Sequence, residues 1–419
     1  MKKFIEKNFS LPILLKLVLL SVIVLRIVLF TVPSFKIDMG DWQAWAARLV
    51  EVGPPGFYVK GMLADYLPFF YLILWFFSKI FAFIFGTQAI YTLTFDIYIR
   101  IISNTFDFLT AYLIYKIIKN YNKKFAFLGS LLYLVNPGVV FNSSVWGQTD
   151  SIPTFFFVFS LFLLNEIKKP ELSSISLVLS ALVKPLNVAA FPIVGVRFIK
   201  NFEIRKVIFS LIYSIVVFFA VTIPFFVKDP FFGVLGHLLS SLNVYPYTSL
   251  NAYNFWGLVT GFWKSDSTFL LGIIPYHILG YILFFLILFA VLLPYIKMNK
   301  KYKEIDYLSA AVLCFAFFMF LTRIHERHLF PLFSLLLISS FIFKSRILIV
   351  SYVIASLVYF INEFFSYYYY NFAYSNPNAT NLLFRVSSDY SKFFSLVLIL
   401  IFLVIFVEYF KRAVALMKK

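Results

Sequence analysis

The chain has 419 residues, 62% of them hydrophobic and only 13% charged, with a mean hydropathy of +0.89. Its apolar runs are continuous rather than alternating, which excludes a membrane β-barrel and implies an all-α, polytopic membrane bundle. The net charge of +18 sits in short loops between apolar runs and no nucleic-acid-binding pattern accompanies it, so no nucleic-acid partner is expected.

A spanning helix needs roughly 20 apolar residues. The runs 11–32, 206–227, 272–296 and 393–410 meet that length. No A-x-A cleavage site follows the first run, so it is expected to stay as the first span. Lys2, Lys3 and Lys7 put the N-terminus in the cytoplasm. The basic stretches 116–124, 168–169, 197–206, 297–303, 344–346 and 411–419 are expected on the same side. Counting 67–86 as a crossing would send 116–124 outside, so 67–86 is expected to be an interfacial or re-entrant helix within one outer loop, 33–99. About twelve spans result: 11–32, 101–119, 124–141, 151–166, 172–185, 187–200, 206–227, 272–296, 307–322, 329–343, 347–362 and 393–410. The pair around Pro185 is short and reads as a tight hairpin. Residues 1–419 thus form a single transmembrane domain, multi-pass, and of the cell membrane if the source is prokaryotic. The lone Cys314 lies inside an apolar run, which leaves no disulfide framework or thiolate metal site.

Four polar clusters interrupt this apolar chain: Asp38–Asp41 (DMGD), Ala64–Tyr66 (ADY), Val145–Asp150 (VWGQTD) and Arg323–His328 (RIHERH). All fall on the outer side. Charge in a bilayer is expensive, so four clusters on one side imply one site. Asp38 and Asp41 share a helix face. The plain alternative is that one of them caps the helix whose apolar stripe is Trp42, Trp45, Ala46 and Leu49. Asp65 and Asp150 also precede helices and carry the same alternative. Trp146 reads as an interface anchor, whereas Gln148 and Asp150 sit at the mouth of the next span. Arg323, His325, Glu326, Arg327 and His328 crowd one turn. The two histidines lie three apart, but nothing completes a metal-ligand pattern and no metal site is assigned. The planar fork of arginine suits phosphate oxygens. Arg100 and Lys184, near the outer ends of their spans, add positive charge, with snorkelling as their alternative. A carboxylate beside a basic pocket suits transfer of a group from a lipid phosphate to a hydroxyl.

The stretches DMGDWQAWAARLVEVGPPGFY, ADYLP, NPGVVFNSSVWGQTDS, LVKP, NAYNFWGL and RIHERHLFP follow one another from about residue 38 to 331. In them the chain resembles the GT-C superfamily of integral membrane glycosyltransferases, and within it the branch related to GPI mannosyltransferase II. The resemblance implies a polyprenyl-phosphate sugar donor and a GT-C-like bundle with interfacial helices in the first outer loop. It also implies a catalytic acidic residue in that loop, by position Asp38, with Asp41 next. Asp65, Gln148, Asp150 and the RIHER turn should line the site. Leu67 stands before Pro68 where the family often has two prolines. Asp41 replaces a small or polar residue, and His328 an aromatic one.

The expected function is inverting transfer of a hexose, mannose by resemblance, to an acceptor hydroxyl at the non-cytoplasmic face. The acceptor would be lipid-linked, a glycan or a protein. Arg100, Arg323, His325 and Arg327 are candidates for the donor phosphate, with Asp65, Gln148, Asp150, Lys184 and Glu326 around it. No cofactor is required, and a divalent metal is compatible. The rival is a transporter or flippase of a lipid-linked sugar, which would place charge near the midplane on broken helices. Asp107 is the residue that fits that role. A histidine-based acyltransferase would rest on His325, since His237, His277 and His328 are less suitably placed.

Overall fold

A computed structural model of the protein describes residues 11–59, 61–298, 302–379 and 381–418. Lys2, Lys3 and Lys7, the residues expected to orient the N-terminus, lie outside that description. The described chain is helical almost throughout. Its first half contains α1 (Leu11–Leu29), α2 (Lys36–Val52), α3 (Pro68–Phe85), α4 (Leu93–Tyr121), α5 (Ala126–Leu134), α6 (Pro137–Val140), α7 (Ser151–Phe162), α8 (Pro170–Val183), α9 (Phe191–Asn201) and α10 (Ile204–Thr222). The second half contains α11 (Pro230–Leu242), α12 (Phe255–Val259), α13 (Tyr276–Lys297), α14 (Ile305–Phe320), α15 (Pro331–Ile342), α16 (Arg346–Tyr368), α17 (Leu382–Asp389) and α18 (Ser391–Met417). Four two-residue strands join them: β1 (Ser249–Leu250), β2 (Phe269–Leu270), β3 (Ile274–Pro275) and β4 (Ile324–His325). Six of the described helices are long and apolar enough to cross a membrane, or seven if the bent pair 123–134 and 137–146 is one span. The protein is therefore a membrane protein.

The bundle has two chemically distinct edges. At one, the basic connections meet: Lys303 pairs with Glu166 at 2.6 Å, Arg197 pairs with Asp306, and Ser345 donates to Glu408 at 3.2 Å. At the other, the polar clusters meet: Trp146 bonds Asp38, Lys184 pairs with Asp150, and β1 lies parallel to β4. The basic loops expected to share a side thus share an edge, and the four clusters share the opposite one.

α3 is long enough to cross, at about 27 Å by helical rise. Both its ends nevertheless lie at the site edge. Tyr66, just before it, sits beneath Lys184, and Phe81 near its end packs on Phe95 and Tyr98 in the first turns of α4, with ring centroids 5.0 and 5.2 Å away. Its length and composition also place it among the six span-capable helices.

Several boundaries differ from expectation, two of them at the site. α4 begins at Leu93 rather than 101, which places Arg100 inside the helix. The segment 124–141 is not one straight span. Asn136 breaks it by accepting hydrogen bonds from the Gly138 and Val139 amides, and the chain bends by 50° before a π-helical turn at Phe141–Trp146. The alternative reading of these aspartates as helix caps is also not met. Asp38 lies in the first turn of α2, whose cap position is Phe35, and Leu67 precedes α3. Asp150 occupies the cap position of α7 but makes no cap hydrogen bond. With capping gone, these carboxylates need another partner.

Lipid tails are as apolar as leucine, so helices in a bilayer associate through close packing and interhelical hydrogen bonds. α8 shows how. Ser173, Ser176 and Ser180 recur at helical spacing and face α7. Ser173 donates to the Ser160 carbonyl at 2.9 Å, Ser176 to the Phe156 carbonyl at 2.6 Å, and Ser180 to the Pro153 carbonyl at 2.7 Å. Each such bond contributes on the order of 0.6 kcal/mol. Together they hold Lys184, at the end of α8, against Asp150, at the start of α7. Gly138 performs the same service for α6, since a Cβ there would lie 2.2 Å from the Tyr359 ring of α16.

Asp107 is committed elsewhere. Arg26 Nη1 donates to Asp107 and to Asn104, both at 2.7 Å, and Nη2 donates to the Leu134 carbonyl at 3.0 Å. Both charges are buried, and this closed cluster ties α1 to α4 and α5. It lines neither cavity at the site edge.

Candidate functional site

α2 supplies the first wall. Asp38, Asp41, Trp42 and Trp45 recur at three- and four-residue spacing and face one cavity of about 230 Å³. The π-helical turn supplies the second. It ends at Gly147 with φ +88°, where a side chain would meet Arg100 Cγ at 3.1 Å. That turn aims Trp146 Nε1 at Asp38 Oδ2, 2.8 Å away, while the Gln148 amide donates to the same oxygen. Gln148 Oε1 in turn accepts from the Tyr66 hydroxyl at 3.1 Å. Asp38 is thus held by one oxygen, Oδ2, which accepts from both Trp146 and Gln148.

The RIHERH turn supplies the third wall. Pairing of β4 with β1 fixes its start, and a short 3₁₀ turn presents Glu326 and Arg327. Their side chains pair at 3.0 Å, and the guanidinium lies 5.9 Å from the Trp146 ring centroid. Ser366 donates to Glu326, and Tyr359 donates to the Arg327 carbonyl. Lys184 completes the site. It pairs with Asp150 at 2.6 Å and stands 5.2 Å over the Tyr66 ring.

A second cavity of about 350 Å³ adjoins the first. Asp65, Tyr66, Tyr245, His325 and Arg327 line both and form the partition. The two chambers differ in charge. The first gathers Asp38, Asp41, Asp65 and Glu326 against one arginine. The second gathers Lys184, Arg323 and Arg327 against Asp65, on a floor that includes Leu186, Leu238, Leu242 and Phe317.

Electrostatics follow the same division. Burial, with Asp38 and Asp65 nearby, pushes the Asp41 carboxyl up to about 6. Burial also raises Asp65, against the opposing pull of Arg327 and Lys184. Burial and the neighbouring cations hold His325 and His328 well below the usual imidazole range, so both are neutral at pH 7. Among the described residues, no three His, Cys, Asp or Glu side chains are placed to share a metal ion.

A pH test follows for Asp41. Its folded value lies above the ordinary carboxylate value, so between about pH 4 and 6 the folded chain holds a proton that the unfolded chain releases. That contribution to stability is full at low pH and is lost as pH rises through about 6. Asp41→Asn should therefore melt above the parent at pH 7.5, and the gap should narrow as pH falls through about 6 and close only below about pH 4. Melting curves across that range check it, and a gap independent of pH would remove the charge argument.

Of the residues singled out in the sequence, Asp38, Asp41, Asp65, Lys184, Arg323, His325, Glu326 and Arg327 line the two chambers, and Gln148 and Asp150 stand directly behind them. Arg100 does not join them. Its guanidinium is fully buried, pairs with Asp96 at 2.6 Å and donates to the Phe30, Val32 and Ser144 carbonyls. It is a structural clasp and is not placed to meet a donor phosphate. Arg323 touches the second chamber but is largely engaged, with Nε on Asp266 at 2.7 Å and Nη1 on the Leu242 carbonyl and Asn243. Tyr245, Trp263 and Tyr370 line the first chamber without having been singled out. In a chain that is 21% aromatic, one further ring gives no contrast in sequence.

The chain matches no protein-family model, and the comparison with curated proteins finds no significant match.

Proposed function

We propose that the protein is an inverting glycosyltransferase that moves a hexose, mannose by sequence resemblance, from a polyprenyl-phosphate sugar to an acceptor hydroxyl. The observation that carries this reading is the pair of adjoining chambers with opposite charge, divided by Asp65, Tyr66, Tyr245, His325 and Arg327. A lipid phosphate suits the basic chamber, whose apolar floor would take the first isoprene units. A hydroxyl acceptor suits the acidic one. The acceptor oxygen attacks C1 of the hexose, the C1–O bond to phosphate breaks with inversion, and the hydroxyl proton passes to Asp38. Negative charge grows on the departing phosphate, where Arg327 and Lys184 stabilise it. Phosphate is a good leaving group and needs no general acid. No cofactor is required for these steps, and a divalent metal is compatible with them.

The reading includes about twelve crossings, with the basic edge in the cytoplasm and the site on the far side. Single cysteines at exposed Asn378 and exposed Lys123 should test it, since Cys314 is buried. An impermeant thiol reagent should label the first and spare the second in intact cells. Labelling of the second alone would put the site in the cytoplasm.

The reaction itself is tested by incubating the purified protein with a panel of polyprenyl-phosphate sugars and acceptors, then finding products by mass spectrometry. Transfer with inversion supports the reading. Movement of lipid-linked sugar across vesicles without transfer would establish the transporter instead. The Arg26–Asp107 pair speaks against that rival, because the charge singled out for it in the sequence is already neutralised.

A further inference from the structure

Three residues near the acidic chamber hold a backbone conformation that side chains disfavour. Asn251, Trp263 and Arg323 have φ of +61°, +58° and +65°. Asparagine tolerates this region, but a bulky residue there is an outlier. Such strain persists only where the surroundings impose it, and it clusters at functional sites. Here the surroundings are the small sheet above the chamber. The Trp263 amide donates to the Ser249 carbonyl of β1 at 2.9 Å, and the Arg323 amide donates to the Tyr247 carbonyl at 2.8 Å. Asn251 bridges to His325.

The strain does not serve to bury Trp263. The ring remains 40% exposed and lines the acidic chamber. Its Nε1 donates to Asn251 Oδ1 at 2.9 Å, and Tyr247 packs edge-on at 5.2 Å, so its orientation is fixed. A rigid, half-exposed indole beside carboxylates presents a flat apolar face next to hydrogen-bond acceptors. A pyranose ring has the matching surface, with apolar C–H faces and an equator of hydroxyl donors. The excess of carboxylates over cations in the same chamber disfavours an anionic guest.

We infer that Trp263 is a specificity-determining platform for the acceptor, and that the acceptor is a neutral saccharide. This rests on the transferase reading for the word acceptor, but binding can be measured without transfer. The full-length protein in detergent would be titrated with an α-linked mannotriose, its phosphate-substituted counterpart and a serine-rich peptide, followed by saturation-transfer NMR. The neutral trisaccharide should bind most tightly. Trp263→Phe should keep most of that binding. Trp263→Ala and Trp263→Gly should each lose roughly tenfold or more, as expected for removal of an aromatic platform.

Stability separates a platform from a structural ring. Glycine pays no penalty at positive φ, so Trp263→Gly should melt above Trp263→Ala while binding as poorly. Binding of a polyprenyl phosphate should be the same in all four proteins. If Trp263→Ala binds the trisaccharide as the parent does, or if peptide or phosphorylated sugar binds better, the inference is overturned. If the trisaccharide binds through Trp263 but no hexose is ever transferred, the platform stands and the transferase reading falls.

Discussion

Asp38→Asn should lower turnover by about a hundred- to ten-thousandfold, the usual loss on removing a general base, while donor binding stays near the parental value. The substitution preserves shape and removes only the ability to take a proton. Asp38 is the best placed of the chamber's carboxylates for that role. Trp146 and Gln148 both donate to its Oδ2, which fixes the carboxylate and leaves Oδ1 for a hydroxyl. Asp41 lies on the same helix face and has no such hydrogen-bond pair. Asp41→Asn should therefore cost less turnover. The comparison is made in single-turnover assays with a polyprenyl-phosphate sugar and its matched acceptor, with donor affinity measured separately. If Asp38→Asn turns over almost normally and Asp41→Asn does not, the proton goes to Asp41. Its raised value near 6 would suit a base working at neutral pH. If both variants stay active, catalysis does not start from this helix.

Much of this site could be read from sequence because charge stands out in an apolar chain. Asp38, Asp65, Asp150 and the RIHERH turn were visible for that reason, and the basic loops announced which edge they would share. What could not be read were features set by backbone geometry. Asp96 and Arg100 neutralise each other across one turn of α4, so the helix begins earlier than an apolar count allows and takes Arg100 out of the site. The bend at Asn136 and the π-helical turn after it leave no hydropathy signature, yet they aim Trp146 at Asp38. The same holds for Trp263, where the informative property is a dihedral angle rather than a residue type.

Arg327 should prove the main donor-phosphate ligand, and its removal should weaken binding of a polyprenyl-phosphate sugar by about ten- to a hundredfold, as expected for a charge-assisted hydrogen bond of roughly 1.5–3 kcal/mol. It stands in the partition between the chambers, where the proposed reaction would bring the donor phosphate up to the sugar carbon. A simple Arg327→Gln is ambiguous, because it strands the buried Glu326, and breaking a buried pair is itself strongly destabilising. Arg327→Gln with Glu326→Gln removes both charges. The double variant should recover much of the thermal stability lost by the single one, and none of the lost donor affinity. Arg323→Gln gives the contrast. That guanidinium is tied to Asp266, Asn243 and the Leu242 carbonyl, so its loss should lower stability and change donor affinity only a few-fold. Parental affinity in the double variant would make the Arg327–Glu326 pair a structural brace of the RIHERH turn. The phosphate would then have to rest on Lys184, which already shares its charge with Asp150.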